Sequence, residues 1–134
     1  MKKVAITLLA VLCLSLIGCN KDGEINAFVT EFDAATNEIV QKIDANPNAA
    51  GVDEAQKAFD AKKESLTTKW NAIKTARGMQ VSEEAQKKLT DSTAKNMKAI
   101  TDVATKHAMK MAMDKNAMTK FQKLMTDYGN TFKM

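Results

Sequence analysis

The chain has 134 residues, 45% hydrophobic, 27% charged and 5% aromatic, with one Pro and five Gly. That length allows one domain. The apolar content is too high for a disordered chain, and so little Pro and Gly leaves few of the tight turns a sandwich or barrel needs. The formal net charge of +4 is modest, and the composition predicts an all-α protein.

The front end reads separately from the rest. Met1-Lys2-Lys3 is basic, and Val4 to Leu16 is almost wholly apolar. As a helix that run is about 20 Å long, short of the roughly 30 Å of a hydrocarbon core. It therefore reads as the apolar region of a secretory signal. Leu16-Ile17-Gly18-Cys19 comes next. Basic start, apolar run and this tetrapeptide together resemble the signal and lipobox of bacterial lipoproteins, over residues 1–19 only. The resemblance implies that residues 1–18 are removed and that Cys19 carries diacylglycerol through a thioether. It also implies a fatty acid such as palmitate on the new amino terminus. Several chains on one residue make a lasting anchor, where one alone binds marginally. Cys13 would leave with the signal and Cys19 would be consumed by lipid. A disulfide, a thiol nucleophile and a thiolate metal ligand then drop out of consideration. Asn20, where Asp would retain a lipoprotein at the inner membrane, implies by the same similarity an outer-membrane anchor facing the periplasm. Residues 19–23 are the lipidated Cys and a short tether. The four residues after Cys19 reach about 14 Å at most, which keeps the folded domain, 24–134, near the bilayer.

Residues 24–45 repeat apolar groups at helical spacing: Ile25, Phe28, Val29, Phe32, Ala35, Ile39, Val40, Ile43. Asn46-Pro47-Asn48 should end that helix, because Pro lacks an amide donor and biases its predecessor away from helix, with Ala49 to Gly51 completing a loop. A second helix is expected over 53–77. Val52, Phe59, Leu66 and Ile73 fall seven apart there, a coiled-coil-like spacing, and Arg77-Gly78 reads as its stop. Ser82 suits the N-cap of a third helix, with Glu83 and Glu84 in its first turn. Its stripe runs Ala85, Leu89, Thr93, Met97, Ile100, Ala104, His107, Met111, then Met118, Phe121, Met125, Tyr128. Asp114 falls on that stripe and is the candidate kink or break, acting as a new N-cap. The predicted fold is thus an up-and-down bundle of three long helices, the third kinked or split near Asp114. Acid-to-Lys pairs at i, i+4, such as Glu38–Lys42, Asp53–Lys57 and Asp102–Lys106, mark solvated faces worth about 0.2–0.5 kcal/mol each. No internal repeat stands out.

Charge and methionine are uneven. Residues 19–78 carry 8 basic and 10 acidic groups, and residues 79–134 carry 10 and 6. Between Lys87 and Lys123 nine Lys face three Asp. Such a face could attract anionic lipid or acidic wall polymer, or simply be solvated. Nucleic acid is not expected as a partner of an exported, membrane-tethered chain, and no aromatic residues interleave the lysines for base stacking. Beyond the signal all eight Met lie from Met79 onward. Met111, Met118 and Met125 read as core. Met109 and Met113 project from the opposite face and suit contact with a protein partner or a second copy. His107, the single His, sits among them, and thioether with imidazole suits Cu(I) or Ag(I). A soft-metal site of His107, Met111, Met109 and Met113 is therefore the alternative reading, though one continuous helix cannot bring all four to one ion. No C-x-x-C-H marks covalent haem, no H-E-x-x-H or Gly-rich phosphate loop is present, and no triad has motif support. No cofactor and no catalysis are expected. Trp70 and Tyr128 read as partly buried anchors. The best functional expectation is a small lipid-anchored envelope protein acting through helix-surface contacts.

Overall fold

A computed structural model describes residues 20–76 and 78–132. The expected signal segment 1–18 and the expected lipidation site Cys19, with Arg77 and the last two residues, lie outside the described residues. Helix α1 spans Asp22–Ala45, α2 Ala49–Ile73, α3 Glu83–Met113 and α4 Lys115–Thr131, with a 3₁₀ turn at Gly78–Gln80. No strand occurs among the described residues. The all-α class holds, but among the described residues there are four helices rather than three, because the third is split.

The correction lies at Asp114. Its φ of −112° and ψ of 97° are extended, and its Oδ1 accepts from the amides of Asn116 (3.0 Å) and Ala117 (3.2 Å). A carboxylate that caps a new first turn ends the old helix, since both cannot share that backbone. Its other oxygen accepts from Ala49 N at 3.2 Å, so one side chain also serves the start of α2.

Two further boundaries differ from expectation. Ala49 to Gly51 is not loop but the first turn of α2. Asn48 caps it, accepting from Ala50 N (2.9 Å) and Gly51 N (3.1 Å). Gly51 lies against the end of α1 so closely that a Cβ would fall 1.8 Å from the Asn46 carbonyl oxygen. The second helix stops at Ile73, before Arg77. Gly78 does adopt the left-handed φ of +59° that favours glycine, but inside the connecting loop. At the third start the expected cap forms: Ser82 Oγ accepts from Ala85 N at 3.1 Å.

The helices alternate in direction. Asp22 meets Ser82 and Asp44 meets His107, so α1 and α3 are parallel. Asp53 meets Lys120 and Gln56 meets Asp127, so α2 and α4 are parallel and run the other way. The up-and-down order therefore holds. One end, here the root end, gathers Asn20, the start of α1, the end of α2 and the loop into α3. The opposite end gathers the α1–α2 turn and the α3–α4 joint. α1 packs on α2 and α3, and α4 packs mainly on α2.

The core is the set of stripes read from sequence. Ile25, Phe28, Phe32, Ile39 and Ile43 from α1 meet Val52, Phe59, Leu66 and Ile73 from α2. Ile100, Val103 and Met111 from α3, and Phe121, Leu124 and Tyr128 from α4, complete it. Each such side chain contributes about 1.5–3 kcal/mol when fully buried.

Candidate functional site

The α1–α3 seam is polar. Asp33 accepts from Ser92 Oγ (2.5 Å), Asn96 Nδ2 (2.7 Å) and Lys95 Nζ (3.3 Å). Burial pushes Asp33 up, but those three donors outweigh it and hold the carboxyl below the usual range. At the ends of the same face, Asp22 accepts from Ser82 N at 2.9 Å, and Asp44 from Lys106 and from His107 Nε2 at 2.7 Å. Those bonds, first from Ser82 N and first from Lys106 respectively, hold Asp22 and Asp44 low as well. The three acids are eleven residues apart, three full helical turns. Their partners keep step. Asp33–Asn96 and Asp44–His107 both span 63 residues, and Asn26–Lys88, Asp33–Lys95 and Asp44–Lys106 all span 62. Constant separation is the signature of parallel pairing in register. Ser92 and Asn96 are buried here, whereas Thr93 and Met97, expected on the stripe, face outward.

The predicted metal ligands divide. His107 and Met111 are buried on the core face, with His107 engaged by Asp44. Met109 and Met113 point the other way, 83% and 88% exposed. The structure brings the first two to one face and the second two to another, as a continuous helix requires. Among the described residues no cluster of three or more His, Cys, Asp or Glu could hold a metal ion.

The lysines between Lys87 and Lys123 are spread over several partners. Lys88, Lys95 and Lys106 reach α1, at Asn26, Asp33 and Asp44. Lys120 reaches Asp53 on α2. Lys87, Lys98 and Lys123 pair within their own helices with Asp91, Asp102 and Asp127. A shallow depression of about 400 Å³ between α1 and α3 carries Lys87, Lys88 and Lys95, but also Asp33, Glu84 and Asp91.

The aromatic residues gather at one place. Phe28 lies 5.3 Å from Phe32 and 5.5 Å from Trp70, and Phe132 lies 4.7 Å from Phe32 and 5.3 Å from Tyr128, centroid to centroid. The Tyr128 hydroxyl shares a 2.7 Å hydrogen bond with Thr36. Burial of that phenol pushes its pKa well above the usual tyrosine value. Tyr128 is thus fully buried, beyond the partial burial expected, while Trp70 is half-buried. Beside the cluster α4 ends, and an aromatic-walled cavity of about 260 Å³ opens. It adjoins a second, of about 430 Å³, under the 74–82 loop, with Trp70 in the wall of both. Sequence reasoning places Phe28, Trp70 and Tyr128 on apolar stripes but gives no sign of an opening. The signal for it is the length of α4, 17 residues beside partners of 24 and 25.

The chain emerges at the root end. Lys21 N donates to the Gln80 carbonyl at 2.7 Å, and Asp22 N to Asn20 Oδ1 at 2.7 Å. Met79, beside Gln80, is fully exposed. Among the described residues no helix is long and apolar enough to cross a membrane.

Set against profiles of known protein families, curated proteins and solved structures, the chain matches none. Its own residues must therefore carry any functional reading.

Proposed function

We propose that this is a small lipid-anchored protein of the bacterial envelope, processed before Cys19. It is held at the outer membrane on its periplasmic side and acts by helix-surface contact rather than catalysis. The observation that carries the reading is the fixed root of the tether. The residues after Cys19 are bonded into the fold through Asn20, Lys21 and Asp22, all at one end. A lipid on Cys19 would therefore hold that end at the bilayer and present the other to the periplasm. Met109 and Met113, exposed at i, i+4 on the last turns of α3, lie toward the presented end. Adjacent flexible thioethers suit contact with a protein partner or a second copy.

Intact mass of the chain purified from membranes tests the anchor. A diacylglyceryl and acyl adduct on a chain beginning at Cys19 is expected, with release from the membrane in Cys19→Ser. An unmodified, freely soluble chain retaining residues 1–18 would overturn the reading. Sedimentation or cross-linking of the native protein against M109K/M113K tests the contact face, with loss of the complex expected in the variant. The soft-metal reading would require ligands that lie on two faces of α3, His107 and Met111 buried, Met109 and Met113 exposed, to meet at one ion, and no observation favours it. The lysines favour a solvated, ion-paired face over an anion site, because carboxylates stand among them.

A further inference from the structure

The loop that joins α2 to α3 has a bonded backbone. Lys74 N donates to the Trp70 carbonyl (2.8 Å), Ala76 N to that of Ile73 (2.9 Å) and Val81 N to that of Gly78 (3.2 Å). Gly78, with its left-handed φ of +59°, sets the bend. Met79 rides on that turn and is 102% exposed, so no described residue covers it. An unbranched apolar side chain is thus held out from the fold on a fixed turn. A single exposed apolar residue is ordinary on a protein surface, but this one stands at a particular place.

That place is set by the start of the chain. Lys21 N donates to the carbonyl of Gln80, the residue after Met79, and Asp22 Oδ1 accepts from Ser82 N. The two residues from Cys19 to Lys21 reach about 7 Å at most. A membrane anchor carried at residue 19, or in the apolar run before it, therefore enters the fold beside Met79. Met109 and Met113, the other exposed methionine pair, lie roughly 40 Å or more away along α3.

Charge gives this end no other hold on a membrane. Residues 20–24 and 74–84 carry three basic and four acidic side chains, so anionic headgroups are not attracted. Asp22, Glu83 and Glu84 serve the first turns of α1 and α3. The group with an affinity for the bilayer is the thioether chain, whose surface leaves water when it enters the boundary between headgroups and acyl chains. One methionine would not hold a free protein at a membrane. Beside an anchor the contact is intramolecular, and its effective concentration is high.

We propose that Met79 inserts into the phospholipid surface beside the anchor and is a second point of attachment. One point lets a body swivel, whereas two set its tilt. The inference rests on the anchor reading, which brings the loop to the membrane.

The test uses the chain purified from membranes with its own N-terminus, carbon-13-labelled at the Met methyls, in phosphatidylcholine nanodiscs. Met79→Leu, at an exposed position, assigns the Met79 signal. A nitroxide on the lipid acyl chains should broaden the Met79 methyl several-fold more than those of Met109 and Met113. A water-soluble gadolinium chelate should do the reverse and spare Met79. Both patterns should persist in high salt and when phosphatidylglycerol replaces part of the lipid. Equal broadening of the three methyls by either agent, or a Met79 effect seen only with anionic lipid, overturns the proposal. Intact mass of the same sample reads the anchor separately. With lipid on Cys19 and no distinction at Met79, the insertion alone fails. With Cys19 unmodified, the anchor reading fails, and the spectra still decide whether Met79 meets the bilayer.

Discussion

Asp33 shows how a single carboxylate sets the register of two helices. It is the acceptor for a buried amide and a buried hydroxyl, both from α3. Replacing it with Ala leaves the Ser92 hydroxyl without its acceptor in the seam, and Asn96 Nδ2 with only the longer 3.3 Å bond to Ser92 Oγ. The cost of orphaned buried donors is about 1–3 kcal/mol, so Asp33→Ala should lower the urea midpoint accordingly, while Asp33→Asn should lose less. Gly51 is a different case, where space alone decides. With the Asn46 carbonyl 1.8 Å from a built Cβ, Gly51→Ala must push α2 away from the end of α1. Overpacking of this kind costs about 1–3 kcal/mol, measurable by the same midpoint, although Ala is otherwise the better helix former. Neither effect is legible in the sequence. Asp33 looks there like any solvent-facing acid, and Ala49 to Gly51 like the tail of a loop. Both depend on which backbone comes close, and a one-dimensional pattern does not state that.

At the scale of the element, apolar stripes are legible and polar seams are not. The seven-residue run Val52, Phe59, Leu66, Ile73 is fully buried as read. α3 obeys a different period. Ala85, Asn96 and His107 are eleven apart and all buried, as are Ser92 and Val103. Eleven residues fit three turns with little drift, so two parallel helices can stay in contact without the left-handed wrap of heptads. Asp22, Asp33 and Asp44 repeat at the same interval in plain view in the sequence. Nothing in one dimension separates them from acids on a solvated face. The ion pairs carry the same correction. Glu38 pairs with Lys62 and Asp53 with Lys120, across helices, instead of with Lys42 and Lys57 along them. A partly buried partner outcompetes an exposed neighbour, since screening by water is weaker there. Asp114 joins three elements, with bonds to Asn116, Ala117 and Ala49. Asp114→Ala should lower Tm by several degrees and loosen α4 first, seen as faster amide exchange over 115–131. Asp114→Asn keeps an acceptor and should recover most of the loss.

For the whole molecule, the carboxylates decide the response to acid. Asp22, Glu31, Asp33, Glu38, Asp44, Asp114 and Asp127 are all held below their ordinary values. Hydrogen bonds and cations are the cause, against burial in each. A depressed carboxyl stabilises the fold above its unfolded value, about 3.9–4.3, and loses that contribution as pH falls through the folded value. Stability should therefore be level from about pH 5 to neutral and fall below about pH 4, tracked by urea midpoint against pH. Tyr128 acts at the other extreme. Its raised value favours the neutral phenol in the fold, so stability should decline as pH rises past about 10, where the unfolded tyrosine ionises. Tyr128→Phe should blunt that alkaline decline and leave the acid limb in place. The all-helical class, the up-and-down order and the break at Asp114 can be read from spacing. The aromatic-walled cavity beside the end of α4 cannot, because it depends on where one helix stops against its neighbours.

The staple between Lys21 and Gln80 also has a mechanical meaning. α1 and α3 start side by side, joined there by Lys21–Gln80 and Asp22–Ser82 and again along their length at Asp33 and Asp44. Force applied at residue 20 along the bundle axis thus loads several rungs in shear at once, instead of peeling one helix off bond by bond. A body tugged from that corner should resist traction better than one pulled by its far extremity, a directional toughness that optical-tweezer experiments with differently placed handles can measure.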